Sequence, residues 1–297
     1  MTDRQAAESI IRTDYHMHST FSPDGQHTPE KMCRQALELR LDEIALTEHA
    51  EWHPRSGGDG FARVAAYFEA IAHCQARYEP QGLTIHAGVE LGNPHQFEKE
   101  AMALLSEHPF DVVLASLHWL HGENIHLAEC FTGRDPNQVF IDYFRELGLM
   151  AMNFDFDILA HFDRILWRAT LLGIKVDLPA LEADIREAFV AIIRYGRMLE
   201  LNTTHLGSQT DWRQPLVTML GWYREEGGTE VVVNSDAHRA DEIGRHWPVA
   251  HQCLLEAGFE RPQSPLTVNP TRTKPVISLP ATPWTSAGSS RFQVYLG

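Results

Sequence analysis

Short apolar segments alternate with stretches of helical periodicity along most of the chain. Val112-Val113-Leu114 and Val231-Val232-Val233 are uninterrupted and rich in β-branched residues, a pattern that predicts strands buried on both faces. Seven strands are predicted in all. Their ends are expected at Tyr15-His16, Leu46-Thr47, Gly88-Val89, Ser116-Leu117, Leu159-Ala160, Leu201-Asn202 and Val233-Asn234.

Helices are predicted between the strands. Thr28 can cap a helix whose first position is Pro29, and Met32, Ala36 and Leu39 then share one face. Five further helices are marked by apolar stripes, one of them opened by Asp135-Pro136 and one ended by Gly258. The stripes are Val64, Phe68 and Ile71; Val139, Tyr143 and Leu147; Leu181, Ile185 and Ile192; Leu216 and Leu220; and Leu254-Leu255.

Repeated strand–helix units predict parallel strands and therefore an α/β fold. Seven units predict a closed or nearly closed (β/α)7 barrel of the TIM-barrel type, formed by residues 1–263 as one domain. The chain changes character after about Ser264. Residues 264–297 are rich in Pro, Ser and Thr, which predicts an extended C-terminal tail.

Composition and charge narrow the range of possible functions. A net charge of −15 argues against long nucleic acids as partners, because phosphate-tracking grooves need clustered Lys and Arg, but a small anionic substrate is compatible with a metal site. The four cysteines are isolated, so neither a thiolate zinc site nor a disulfide framework is expected. The sequence contains no signal-peptide run and no apolar stretch of membrane length, which predicts a cytoplasmic protein without a membrane partner. The oligomeric state stays open.

Acids and histidines cluster at the predicted strand ends. His16 and His18 are spaced i, i+2, so both rings point to one face of a strand, and Asp236 and His238 repeat this spacing at the last strand. Such residues meet at one end of a barrel. The candidate metal ligands are His16, His18, Asp24, His49, Glu90, His118, His161, Asp236 and His238.

The donor set predicts the kind of metal. Glu90 is the candidate bridging ligand, because a carboxylate can hold two cations with its two oxygens. Imidazole together with carboxylate suits zinc, manganese or iron rather than calcium or magnesium, and two or three divalent ions are expected. Each residue also has a simpler interpretation: Asp24 as a turn residue, His118 and His161 as core histidines, Asp236 as a helix cap. Nine such residues at the strand ends favour the metal cluster.

The order of these residues resembles the polymerase and histidinol phosphatase (PHP) family of metal-dependent phosphoesterases. The resemblance spans about residues 13–258 and implies a distorted seven-stranded barrel with three metals. It implies that the first metal is held by His16, His18, Glu90 and Asp236, the second by Glu90, His118 and His161, and the third by Asp24, His49 and His238.

Within this family the chain is most similar to the histidinol-phosphate phosphatases of histidine biosynthesis. The similar segments are residues 14–19, 44–49, 154–163 and 200–203. The chain departs from them after Asn202-Thr203. Those phosphatases typically continue with a small residue, Gly, Leu and a basic residue, whereas this chain has Thr204-His205-Leu206-Gly207.

The resemblance implies hydrolysis of a small phosphate monoester, with L-histidinol phosphate as the expected substrate. Arg164 is the predicted phosphate-binding cation, because its fork suits phosphate oxygens. Arg168, Arg239 and His205 are further candidates for substrate binding, and Asp236 and His238 are the candidate proton carriers for the leaving group. Alternatives are a nucleotide phosphatase or 3′–5′ exonuclease of the same family, and a non-catalytic metal-stabilised interaction module.

Overall fold

Seven parallel strands form the centre of the molecule. A computed structural model describes residues 12–57, 60–207, 212–229 and 231–259. The strands are β1 (Thr13–Asp14), β2 (Glu43–Ala50), β3 (Thr84–Gly92), β4 (Val112–Ser116), β7 (Ile158–Leu159), β8 (Met198–Asn202) and β9 (Val231–Asn234), and β5 (Trp119–Leu120) and β6 (Glu123–Asn124) form a separate antiparallel pair. In the sheet the order is β1-β2-β3-β4-β7-β8-β9, and each strand is parallel to its neighbour.

The first and last strands meet and nearly close the sheet. Met17 and Ala237 form a parallel bridge just beyond β1 and β9, and the backbone N–H of His18 donates to the carbonyl of Ala237 at 2.8 Å. Below this bridge a side chain takes part in the closure, because Asn234 Oδ1 accepts from the backbone N–H of Tyr15 at 2.8 Å. The structure confirms the predicted (β/α)7 barrel, which is distorted at this junction.

The barrel interior is apolar at one end and polar at the other. Ser116, Glu200, Asn202 and Asn234 are buried polar residues on the last residues of their strands or near them. The apolar layer beneath contains Tyr15, Ala45, Val112, Leu114, Ile158, Ala160 and Val232. Polar groups therefore accumulate at the C-terminal ends of the strands, where barrel enzymes carry their active sites.

Eight helices surround the barrel in the described part of the chain. They are α1 (Pro29–Glu38), α2 (Val64–Tyr78), α3 (Glu98–Glu107), α4 (Pro136–Asn153), α5 (Arg164–Leu171), α6 (Glu182–Arg194), α7 (Arg213–Glu225) and α8 (Trp247–Glu256). The predicted caps are confirmed: Thr28 accepts from the backbone N–H of Lys31, and Asp135 accepts from that of Asn137. The six predicted helices are present. The sequence missed α3, which buries only Ala101 and so has almost no apolar stripe, and the eight-residue α5.

The remaining sequence-based predictions concern the cysteines, membrane-spanning segments and the C-terminal tail. The four cysteines are all free and buried. Among the described residues no helix combines the length and the apolarity needed to cross a membrane. The predicted tail, residues 264–297, and the domain boundary after residue 263 lie outside the described part of the chain.

Candidate metal centre

Glu90 lies at the centre of a ring of imidazoles. It is 1% exposed and sits near the C-terminal end of β3, so its carboxylate points into the polar end of the barrel. Its Oε1 is 3.3 Å from Nε2 of His16, 3.1 Å from Nε2 of His161 and 3.3 Å from Nε2 of His118, and its Oε2 is 2.7 Å from Nδ1 of His49 and 3.5 Å from Nε2 of His18. One carboxylate thus faces five imidazoles that come from four different strands or strand ends.

The ligand-capable residues divide into three groups. Within each group the donor atoms lie within 4.8 Å of one another, close enough to share one cation. The groups are His16, His18 and Asp236; Glu90, His118 and His161; and His18, His49 and His238. Asp24 adjoins the third group, since its Oδ2 is 3.4 Å from Nε2 of His49 and 3.1 Å from Nε2 of His238. All nine predicted residues are therefore brought together, and His18 stands between two of the groups.

Several buried donor atoms make no hydrogen bond of good geometry among the described residues, although they lie close to one another. They include Nε2 of His16 and His18, Nδ1 of His49 and Oε2 of Glu90. A buried polar atom without a partner costs about 1–3 kcal/mol, so such atoms call for an explanation. Coordination of a cation by these atoms would explain their arrangement. The imidazole and carboxylate donors fit zinc, manganese or iron.

Charge at the centre suits ligation. Burial alone would raise the pKa of Glu90, but the neighbouring His16, His49 and His118 hold that pKa well below its ordinary value. Burial lowers the pKa of His18 to about 3, with His49 and His238 adding to the effect, and burial and Arg164 lower the pKa of His161 to about 4. Carboxylates instead raise the pKa of His118 to about 9 and hold the pKa values of His16 and His49 well above the ordinary value. A divalent cation would displace the protons of these three rings, because imidazole ligates a cation in its neutral form.

A second carboxylate, Glu200 on β8, orients the ligand-capable groups from behind. Its Oε1 is 2.8 Å from Nδ1 of His16, and its Oε2 accepts from the backbone N–H of His161 at 2.7 Å. Asn202 and Asn234 also donate to it, at 3.1 and 2.8 Å. The hydrogen bond between Glu200 and Nδ1 of His16 directs Nε2 of His16 toward Glu90. The outer partners of metal-binding histidines usually orient the ring in this way. Glu200 was not among the residues predicted from the sequence, although an acid inside a buried strand is a signal.

Two of the candidate ligands have strained backbones. The φ angles of His161 and Asp236 are 30° and 49°, in the left-handed region that costs about 1–3 kcal/mol for a non-glycine residue. Hydrogen bonds hold both in place, from the N–H of His161 to Glu200 and from Arg245 Nη2 to the carbonyl of Asp236 at 2.9 Å. Such strain is typical of functional positions.

Glu48 has a supporting role next to the candidate ligand His49. Its carboxylate accepts from the hydroxyls of Ser19 at 2.5 Å and Ser22 at 2.6 Å. Ser22 Oγ in turn accepts from the backbone N–H of His49 at 3.0 Å. Glu48 therefore fastens the loop that carries Asp24 to the strand that carries His49.

Glu51 supports His118 by a hydrogen bond to its Nδ1. Gly92 makes room for this carboxylate, because a Cβ at that position would lie 2.1 Å from Glu51 Oε1. We expect Gly92→Ala to displace Glu51 and to weaken zinc binding by about 10–100-fold, the usual loss when such an outer partner is disturbed. Zinc titration of the purified variant measures this.

The matched control is Gly221→Ala, on α7, where a Cβ meets nothing within 4 Å. It should leave zinc affinity unchanged and stabilise the helix by up to about 1 kcal/mol. Equal zinc affinity in the Gly92→Ala variant and the parent protein would contradict the role given to Glu51.

A cavity of about 580 Å³ opens onto the centre. Its lining includes Asp24, His49, Glu90, His118, His161, Arg164, Asp236 and His238, together with Phe21, Arg63, Trp119 and His126. Of the predicted substrate residues, Arg164 lines it, whereas Arg168, Arg239 and His205 are not among the lining residues. Arg239 is turned toward Asp241, with Nε 3.0 Å from Oδ1.

Arg164 is buried at the start of α5, three residues after His161. Its Nη2 donates to Asp236 Oδ2 at 2.7 Å and its Nη1 to His205 Nε2 at 2.9 Å. The cavity therefore combines cation-binding donors with one buried guanidinium, an arrangement that suits a phosphate group.

Fold and site together define the class of protein, a distorted (β/α)7 barrel with a histidine–carboxylate centre at the C-terminal ends of its strands. The PHP domain family profile matches residues 14–204. The chain belongs to this family, as its motifs predict.

Curated relatives match most of the chain. A histidinol-phosphatase of Lactococcus lactis subsp. lactis is 26% identical over 257 residues, which cover 84% of this chain and 92% of that protein. A probable histidinol-phosphatase of Thermotoga maritima is 26% identical over 248 residues, which cover 83% of this chain and 93% of that protein.

Solved structures agree on the fold. The crystal structure of histidinol phosphate phosphatase from Lactococcus lactis, complexed with zinc, L-histidinol and phosphate, superposes with a TM-score of 0.73 at 24% identity and covers 84% of this chain and 95% of that chain. A putative histidinol phosphatase from Listeria monocytogenes gives a TM-score of 0.69 at 22% identity and covers 80% and 98% of the two chains.

Proposed function

We propose that this protein hydrolyses L-histidinol phosphate to L-histidinol and inorganic phosphate, a step of histidine biosynthesis, with two or three bound divalent cations. The comparisons indicate a metal-dependent phosphatase. The observation that carries the proposal is the cavity, in which Arg164 faces the same space as Glu90, His118, His161 and Asp236. Support for the substrate comes from the curated relatives named histidinol-phosphatase and from the neighbour that contains zinc, L-histidinol and phosphate.

We assign the nine residues as metal ligands. His16, His18 and Asp236 form one site, Glu90, His118 and His161 a second, and His49, His238 and Asp24 a third, with Glu90 shared between the first two sites. The zinc in the neighbouring structure and the mixed imidazole and carboxylate donors favour zinc, and manganese and iron suit the same donors. Cation number and identity are open to direct measurement.

The chain's own residues bind the phosphate and hold it in place. When bound, divalent cations would supply a water of lowered pKa and neutralise charge on the phosphate. Arg164 offers its remaining N–H groups to phosphate oxygens, while Asp236 fixes the direction of the guanidinium through Oδ2. Glu90, which faces His16 and His118, keeps these imidazoles directed toward one point at the floor of the cavity.

Of the two predicted proton carriers, His238 is the accessible one. Both oxygens of Asp236 are engaged, Oδ1 beside Nε2 of His18 at 3.3 Å and Oδ2 with Arg164. His238 lines the cavity and is 25% exposed. Because His238 also belongs to a ligand group, it can protonate the leaving alkoxide only while its Nε2 is free of a cation.

The direct test is phosphate release by the purified, zinc-loaded protein. L-histidinol phosphate should be hydrolysed with a kcat/KM well above those for a nucleoside monophosphate and for an oligonucleotide with a terminal phosphate. Faster turnover of either nucleotide substrate would overturn the proposed substrate. Complete inactivity toward all three would favour the non-catalytic module.

The cytoplasmic location stays a prediction.

Arg164→Ala tests phosphate capture. Loss of a buried charge-assisted contact of about 1.5–3 kcal/mol should lower kcat/KM by about 10–100-fold, mainly through a higher KM. Steady-state kinetics with L-histidinol phosphate measure this.

A matched control for Arg164→Ala is Arg213→Ala, which removes an exposed guanidinium paired with Glu256 at 2.9 Å on the helical shell. It should keep the parent kcat/KM. An Arg164→Ala enzyme with an unchanged specificity constant would reject the assignment.

A further inference from the structure

His205 lies behind Arg164 rather than in the main cavity. Its Nε2 accepts from Arg164 Nη1 at 2.9 Å. Its ring stacks on the indole of Trp167, with centroids 3.4 Å apart and planes inclined by 4°. It borders a separate, small cavity of about 10 Å³ with Asn202 and Trp212, whereas Arg164 borders both this cavity and the large one. The guanidinium therefore stands between His205 and the space available to substrate.

The local sequence produces this arrangement. Arg164 and Trp167 are three residues apart on α5, so their side chains leave the same side of the helix. His205 comes from the turn after β8, in the segment Thr204-His205-Leu206-Gly207. The contact is thus built by one residue of the turn after β8 and two residues of α5.

Two acceptors fix the plane of the guanidinium. Asp236 holds Nη2 at 2.7 Å and His205 holds Nη1, and the two acceptors belong to different strand ends. If Asp236 were its only acceptor, the Arg164 guanidinium could rotate about that single hydrogen bond. An Arg side chain loses substantial rotamer freedom when it binds a ligand, and a side chain held beforehand loses less.

The chemistry of the ring agrees with an accepting role. Burial, with the positive charge of Arg164 beside it, lowers the pKa of His205 to about 3. The ring is therefore neutral and can present a lone pair on Nε2 to the guanidinium.

We propose that His205, stacked on Trp167, is a positioning residue that holds Arg164 in its phosphate-binding orientation and does not itself contact the substrate. This rests on the proposed function only in that the ligand of Arg164 carries a phosphate group. The sequence-based expectation that His205 binds substrate directly is thereby replaced by an indirect role.

A double-mutant cycle tests the proposal, with binding of inorganic phosphate to the full-length zinc-loaded protein measured by calorimetry. His205→Phe keeps the aromatic stack on Trp167 but removes the acceptor, and should weaken phosphate binding about tenfold. His205→Gln restores an acceptor and should recover most of the affinity. In an Arg164→Ala background, His205→Phe should change the affinity by less than about twofold, because there is no guanidinium left to orient.

The outcomes separate the two roles. An equal effect of His205→Phe in the presence and absence of Arg164 would show that His205 acts on phosphate independently, and would overturn the proposal. Equal losses in the Phe and Gln variants would also overturn it, since the acceptor would then be irrelevant. Inorganic phosphate reports on Arg164 whichever ester is hydrolysed. A parent enzyme that binds phosphate but leaves L-histidinol phosphate intact would therefore reject the proposed substrate and leave this cycle readable.

Discussion

Glu90→Gln is expected to lower kcat by at least about 10³-fold, or ~4 kcal/mol of transition-state stabilisation. The carboxylate faces five imidazoles, and among the described residues it is the one acid that lies within 3.5 Å of a ring nitrogen in each of His16, His49 and His118. An amide has a similar shape but no charge, and its nitrogen cannot ligate a cation. In the variant, the two cations that would share the Glu90 carboxylate therefore lose their common ligand. Steady-state kinetics and metal content per chain are the measurements.

The matched control for this change is Glu43→Gln. Glu43 lies at the start of β2, away from the centre, and its Oε1 is 2.5 Å from Nε2 of His86. Removing its charge should leave kcat and metal content at the parent values. Thermal unfolding of both variants distinguishes a chemical defect from misfolding. A Glu90→Gln enzyme with a near-parent rate would refute the bridging role.

Removal of the metals is expected to abolish activity and to destabilise the barrel. A cation that binds the folded chain stabilises it by RT ln(1 + [L]/Kd), or about 4 kcal/mol at a thousand times its Kd. The destabilisation has a structural cause, since buried donors such as Nε2 of His16 and His18 then make no hydrogen bond of good geometry among the described residues. Dialysis against a strong chelator, followed by calorimetry and an activity assay, should show both losses.

Reconstitution completes the experiment on metal removal. Adding zinc, manganese or ferrous iron back, each in a separate sample, should restore the melting temperature and the activity together, and the best restoring ion identifies the favoured cation. Full activity after complete removal of metal would exclude the proposed centre. Recovery of stability without activity would instead locate the cations in a structural role.

Local signals allowed the helices to be predicted. Thr28 and Asp135 cap helices in the structure because a cap bonds to a backbone N–H only two or three residues away. The candidate ligands could be predicted for a related reason, since each lies near the C-terminal end of an apolar strand or in the loop after it, and parallel strands bring their C-terminal ends together. α3 could not be predicted in the same way, because only Ala101 of that helix is buried.

The partners of the supporting acids could not be predicted from the sequence. Glu200 acts through His16, 184 residues away, and Glu51 acts through His118, 67 residues away. Nothing in the neighbourhood of either acid in the chain shows that an imidazole will lie beside it. The arginines illustrate the same difficulty, because Arg164 and Arg239 both follow a predicted ligand by one to three residues, yet only Arg164 lines the cavity.

The sequence by itself determined the barrel, the family and the nine ligand-capable residues, because strand alternation and strand-end position are local properties of the chain. Only the tertiary structure decided that His18 stands between two ligand groups and that His205 lies behind Arg164. Those relations depend on distances of a few ångströms between different strand ends. Such distances are set by how the barrel closes and not by any spacing along the chain.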